Sequence, residues 1–315
     1  MLVISETSPE TALPALENTA ITIGVFDGMH RGHTAVIAEL LRVKTTGGRA
    51  RSIVLTFENH PLEVTHPEMV PPLLTTLDEK LHILEGLNVD VAIVERFTRA
   101  IAATDYRAFV ERELVSRLGV KDLVVGYDFR LGAGREGSQE RLLAEGKRLG
   151  FGVTVVPPIV FGGSVISSTR IRTMILERKL ERAGRFLGRP YFFEAKVVRG
   201  EGVGRDLGFP TANLEVGDPR KLLPPAGVYA VEVDAAGARR GGMMNVGFSP
   251  TVRAGGARRI EVHLFDFSGE LYGESVRTHC LRYLREERRF ASREELRAQL
   301  MLDRDITCRI LEKKH

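Results

Sequence analysis

From Ile21 to about residue 180 the sequence alternates short β-branched runs with helical patterns, and that alternation leaves few folds open. The strand-like runs are Ile21–Val25, Ser52–Phe57, Val89–Val94, Leu123–Val125 and Gly152–Val156. Parallel strands need a long crossover between them, usually a helix, so the pattern predicts a Rossmann-like parallel sheet with helices on both faces. Ligands then belong at the carboxyl ends of the strands. Helix ends are legible too. Thr76 and Glu79 have capping-box spacing, and that helix is expected to stop near Gly86. Thr104 is expected to cap the next helix, with Gly119 closing it.

The character changes near Gly184–Pro190. Beyond it the runs Glu194–Val198, Val228–Val233, Arg240–Val246, Arg258–Phe265 and Val276–Leu281 are short, alternating and separated by glycine and proline. This predicts a small antiparallel β-barrel. A last helix should start at Ser292, capped with Glu295, and dock through Leu296, Leu300, Ile306 and Ile310. A length of 315 residues accommodates two cores. The domains are therefore read as residues 1–184 and 185–315.

Composition narrows the function classes. A net charge of +4 over the whole chain is too weak for a nucleic-acid surface, though it suits anionic small molecules. Cys280 and Cys308 lack Cys-x-x-Cys spacing, which argues against a disulfide framework or a zinc site. Glu6, Glu10 and Glu17 stand where a signal peptide would be basic, and no apolar run reaches spanning length. The expectation is a cytoplasmic protein with neither membrane nor nucleic-acid partner; nothing in the sequence points to a particular oligomeric state.

Chemistry concentrates at Ile21–His33. A strand runs into Gly24 and Gly28, which allow a tight turn and close approach to a ligand. Phe26 and Asp27 lie between them, and His30 and His33 fall at i and i+3 on one face of the first helical turn. A helix N-terminus attracts anions, and two ring donors would complete a phosphate cradle. A surface pair or two metal ligands lacking a third is the plainer alternative.

Three further stretches follow other elements. Asn59 and His60 end the second strand in a loop whose polarity could be ordinary. Asp128 and Phe129 follow the fourth strand. Ser167, Ser168, Thr169 and Arg172 open a helix, where hydroxyls serve as caps, polyphosphate ligands or both. In the second half, Thr211 and Asn213 share one side of an extended segment. Glu261 and His263 alternate with Ile260, Val262 and Leu264. By pattern alone Glu261 is a solvent-face carboxylate paired with a neighbour such as Arg259.

The stretches GVFDGMHRGH (24–33) and ISSTRIR (166–172) resemble the adenylyltransferase half of prokaryotic bifunctional riboflavin kinase/FAD synthetases, within the wider H-x-G-H nucleotidyltransferases. The stretches at 188–214, containing GFPTANL, at 224–233 and at 258–273 resemble the riboflavin kinase half. Class I tRNA synthetases share H-x-G-H, but no Lys-Met-Ser-Lys-Ser element is present and the length leaves no room for an anticodon domain.

The resemblance implies two reactions. ATP with Mg²⁺ phosphorylates riboflavin to FMN, and a second ATP adenylylates FMN to FAD with release of pyrophosphate. It implies ATP or phosphate contacts for Gly24, Phe26, Asp27 and Gly28 of the turn, for His30 and His33, and for Ser167, Ser168, Thr169 and Arg172. Asp128 and Phe129 would lie near flavin or adenine, with Asn59 and His60 as further flavin candidates. It implies a phosphate loop of Gly202, Gly204 and Gly208, with Mg²⁺ and ATP contacts from Thr211 and Asn213. Glu261 becomes the base for the ribityl hydroxyl. The family usually has proline at the position of Asn59 and an aromatic at that of Leu131. Competing readings are a kinase with an altered nucleotidyltransferase half, and a flavin-sensing or nucleic-acid-binding protein built on the same folds.

Overall fold

In a computed structural model, the structure describes residues 1–5, 16–200, 208–248 and 258–313. Contacts divide it into two units, Met1–Ser168 and Thr169–His315, each taken by itself below.

In the first unit β1 (Leu2–Ser5), β2 (Thr19–Ile23), β3 (Arg51–Phe57), β4 (Val91–Glu95), β5 (Val120–Gly126) and β6 (Gly152–Val156) form one sheet. Its order is β1-β4-β3-β2-β5-β6, and every pair is parallel. The five expected strands are present. The sixth, β1, adds an edge by pairing Leu2 with Val91 and Ile4 with Ile93. At four residues it is too short for its alternation to stand out. From β2 the chain steps outward through β3 on one side and through β5 on the other. The topological switch point therefore lies between β2 and β5.

Period-two alternation divides the sheet's side chains between two cores. Ile21, Ile53, Leu55, Ile93 and Leu123 face Tyr106, Phe109, Leu114 and Leu142. Ala20, Val54, Ala92 and Val124 face Ile37 and Leu40 of α1 (Arg31–Thr46) and Leu84 of α2 (Leu77–Gly86). Each large side chain so buried contributes about 1.5–3 kcal/mol. The Thr76–Glu79 capping box forms at the start of α2. Thr104 does not cap the following helix. Asp105, one residue later, accepts from the Arg107 and Ala108 N–H groups at 2.8 and 3.3 Å, while the Thr104 hydroxyl closes the preceding turn onto Ala100. A carboxylate serving two orphan N–H groups makes the stronger cap. Helix α3 (Gln139–Leu149) precedes β6, and β7 (Val160–Phe161) pairs with β8 (Ser164–Val165).

In the second unit β9 (Tyr191–Val198), β10 (Ala212–Glu215), β11 (Gly227–Ala235), β12 (Ala238–Phe248), β13 (Arg258–Leu264) and β14 (Ser275–Arg285) close into an antiparallel barrel. Tyr229, Phe193, Val231 and Met244 fill its interior. Ahead of it run α4 (Ser168–Leu176), which straddles the division between the units, and α5 (Leu180–Leu187). Helix α5 ends at Gly188 in the left-handed conformation. It buries Leu180, Ala183, Phe186 and Leu187, and Glu181 pairs with the strand residue Arg282 at 3.1 Å at the surface.

The last helix, α6 (Arg293–Glu312), begins at its Ser292 cap as expected and packs Leu300, Cys308 and Leu311 on Phe209, Met243 and Phe265. Leu296 and Ile310 are half-buried, but Ile306 is 44% exposed. The inward turn goes instead to Asp303 and Thr307, both buried, because Arg285 meets the Asp303 carboxylate at 2.8 Å. That ionic partner sets the helix's rotation, and a hydropathy pattern does not show it.

Candidate active sites

Beyond β2 the chain makes a strained turn. Phe26 and Met29 have φ of 52° and 39°, and Gly28 has 86°. Non-glycine residues in this region cost about 1–3 kcal/mol each and persist where surroundings over-determine them. Here Asp27 supplies the fixing. Its buried carboxylate accepts from the Leu74 and Thr75 N–H groups, each at 2.9 Å, and Thr75 Oγ1 in turn accepts from the Gly28 N–H at 2.9 Å. Ser168 Oγ donates to the Asp27 carbonyl at 2.8 Å. The turn sits at the carboxyl end of β2, beside the switch point.

His30 is the N-cap of α1, and its Nδ1 accepts the His33 N–H at 3.3 Å. That bond assigns the neutral ring's proton to Nε2, which becomes a donor. The His30 and His33 rings stack with centroids 3.6 Å apart and planes 17° from parallel. Gly32 is what permits this. A Cβ there would stand 3.1 Å from His30 Cε1, so any side chain would crowd the ring that folds back over the helix start. The first turn of α1 carries no acid, leaving the helix's positive end to an incoming anion.

The neighbouring loops have defined roles. Asn59 spends both ends of its amide on Phe97, donating to its carbonyl at 3.1 Å and accepting its N–H at 2.8 Å. His60 Nδ1 accepts the Leu62 N–H at 3.1 Å. Asp128 is exposed beyond β5, while Phe129 packs on the first core. Leu131 is buried in that core and bridges to Gly137, so it serves loop packing. Ser167 precedes α4; Thr169 is exposed in its first turn and Arg172 is buried one turn on.

On the barrel, strand register assembles the second site. Asn213 on β10 lies directly opposite Glu261 on β13, and Asn245 on β12 lies opposite Glu261 on the other side. Side chains so paired are Cβ neighbours at about 4.5–5.5 Å. Arg259 Nη2 holds Glu261 Oε1 at 2.6 Å, the partner that the alternation predicted. Asn245 Nδ2 donates to Glu287 Oε1 at 3.1 Å, and its buried Oδ1 has no hydrogen-bond partner among the described residues. Gly200 closes on the Asn213 amide so tightly that a Cβ would overlap it. Thr211 precedes β10, and Gly208 has φ of 80°. Gly202 and Gly204 lie outside the described residues.

Comparison with known proteins matches residues 13–170 to the FAD synthetase family and residues 187–311 to the riboflavin kinase family. Over 297 residues the chain is 41% identical to the bifunctional riboflavin kinase/FMN adenylyltransferase of Escherichia coli (strain K12), covering 93% of this chain and 92% of that one. The chain belongs to the bifunctional riboflavin kinase/FMN adenylyltransferase family. Its Haemophilus influenzae member is 38% identical over 289 residues, covering 91% of this chain and 92% of that protein. A crystal structure described as a macrolide-efflux protein from Streptococcus pneumoniae shares the whole architecture, with a TM-score of 0.85 at 28% identity, covering 98% of this chain and 99% of that one. Among the described residues no helix is long and apolar enough to cross a membrane.

Within this family framework, several residues that shape the two sites escaped the sequence reading. Thr75 lies about fifty positions from the turn it fixes, and Lys80 about as far from the turn whose flanking strand it bonds. Gly32 was the unassigned letter of H-x-G-H. Asn245 becomes visible only once β12 is in register with β13.

Proposed function

We infer that residues 185–315 phosphorylate riboflavin with ATP and that residues 1–184 adenylylate the resulting FMN to FAD. The observation that carries this reading is the presence, in one chain, of a histidine turn beside the switch point and a barrel face where Asn213 lies across from Glu261. At the turn, attack by the FMN phosphate on the α-phosphorus shifts charge onto the surrounding oxygens. His30 Nε2–H, His33 and the start of α1 are donors fixed before that charge develops, which is where preorganised dipoles act most strongly. Ser168, Thr169 and Arg172 are assigned to the same nucleotide.

On the barrel, Glu261 accepts the ribityl hydroxyl proton as the bond to phosphorus forms. Arg259 orients one carboxylate oxygen and leaves acceptor capacity on the other, since a carboxylate offers about four lone-pair sites. Thr211 and Asn213 present a hydroxyl and an amide oxygen, the hard donors that suit Mg²⁺. Mg²⁺ held there would neutralise phosphate charge. The substrates are small molecules, and the cytoplasm, where ATP is supplied, is the location this reading assigns. Chromatography of riboflavin, ATP and Mg²⁺ incubated with the chain tests it: FMN should rise first and FAD follow. FMN alone overturns the adenylylation half, and unchanged riboflavin overturns the kinase half.

A further inference from the structure

Lys80 is a buried cation that the two reactions as described leave unused. It lies in α2, and only 5% of it is exposed. Its Nζ donates to Thr56 Oγ1 at 2.9 Å and to the Phe57 carbonyl at 3.2 Å, both at the carboxyl end of β3. Thr56 Oγ1 reaches on to the Val25 carbonyl at 3.4 Å, inside the histidine turn. Asp27, the carboxylate that anchors that turn, favours the charged ammonium. On its own helix, Glu79 turns its carboxylate to the Thr76 N–H at 2.9 Å instead.

A lysine is seldom buried unless something needs its charge. We propose that Lys80 is a positioning residue for adenylyl transfer, its ammonium locking the Val25–Gly28 turn through Thr56 and Asp27 in the shape that aims His30 at the nucleotide. The inference rests on the adenylyltransferase reading of that turn and names a residue that does not itself touch the reacting atoms. Burial pushes the ammonium down to about 8, with Asp27 opposing the shift. The lock therefore weakens as pH rises through that value, and the turn loses the cation that spans it.

The test uses the full chain, with FMN formation from riboflavin as the internal control. In the wild type, FAD formation from FMN should fall between pH 7 and 9 while FMN formation does not share that limb. Lys80→Met should lower FAD formation by at least about tenfold, in the range expected of a misplaced catalytic group, and abolish the falling limb. Its effect should appear in kcat more than in KM for ATP. A wild-type FAD rate that is flat to pH 10, or a Lys80→Met chain within twofold of wild type, overturns the proposal. The wild-type profile decides even if Lys80→Met does not fold. A wild type that makes no FAD at any pH overturns the adenylyltransferase reading and this inference with it; FAD synthesis indifferent to Lys80 overturns the inference alone.

Discussion

Replacing Glu261 by Gln separates a catalytic carboxylate from a surface one. The side chain keeps its shape, its place between Asn213 and Asn245, and an oxygen for Arg259. What it loses is basicity and one ion pair, whose partners are 35% and 23% exposed. A pair that open to water is worth at most about 1 kcal/mol. Thermal unfolding should therefore shift by no more than roughly 4 °C. The kinetic loss is of another order. A ribityl hydroxyl is a weak nucleophile until its proton is accepted, and a positioned base contributes about 10²–10⁴ in rate. FMN formation should drop at least a hundredfold, about 2.7 kcal/mol of barrier. FAD formation from supplied FMN should stay near wild type. Following both half-reactions on this one variant decides between the roles. Kinase turnover within a few-fold of wild type would refute the base assignment and leave Glu261 a partner of Arg259.

Three further outcomes follow from the geometry. Gly32→Ala should leave α1 at least as stable, since alanine favours helix by about 1 kcal/mol over glycine. Its Cβ crowds the His30 ring, so FAD formation should fall about tenfold while FMN formation is unchanged; unaltered FAD synthesis would deny the ring's position a role. A fragment of residues 169–315, which keeps α5 with the barrel it packs on, should fold and make FMN but no FAD. A folded but inactive fragment would show the kinase site to be incomplete. Acid should weaken the barrel in two windows. Burial lowers the His279 imidazole below its usual 6.5. Partial burial would raise the Asp234 carboxyl, but hydrogen bonds from Arg239 and His279 outweigh it and hold it at about 2, below its usual 3.8. Both groups bind protons more readily in the unfolded chain, so stability falls with pH, first below about 6.5 and again from about 3.8 toward 2. Urea midpoints at stepped pH should show both, and Asp234→Asn should diminish the lower one.

What the sequence disclosed was local. The capping box at Thr76 and Glu79, the cap at Ser292 and the i,i+3 histidines need only neighbouring residues, and all three stand as read. The parallel sheet and the barrel followed from hydrophobic period, which is set by burial on one face or two. The plain reading of Glu261 named its actual partner, Arg259, and the base assignment uses that same ion pair. What stayed hidden depends on pairing between distant segments. Asp27 was legible as part of the turn, but the Leu74 and Thr75 N–H groups whose hydrogen bonds its carboxylate accepts were not. Leu131, a departure from the family's aromatic that left flavin stacking and loop packing both open, lies in the core and serves packing. Ile306 gave way to Asp303 because an arginine on a barrel strand, β14, holds that aspartate. Register between β12 and β13, which sets Asn245 beside Glu261, is fixed by barrel closure. No run of adjacent residues encodes it.

On this reading one chain carries two separate sites linked by FMN. This is tested most directly by mixing two inactivated chains. His33→Ala should make FMN from riboflavin and stop there, and Glu261→Gln should make neither product at an appreciable rate. Combined in one vessel with riboflavin, ATP and Mg²⁺, they should restore FAD, because FMN released by the first chain is adenylylated by the second. A mixture that accumulates FMN yet yields no FAD would show that the two sites are not linked by released FMN.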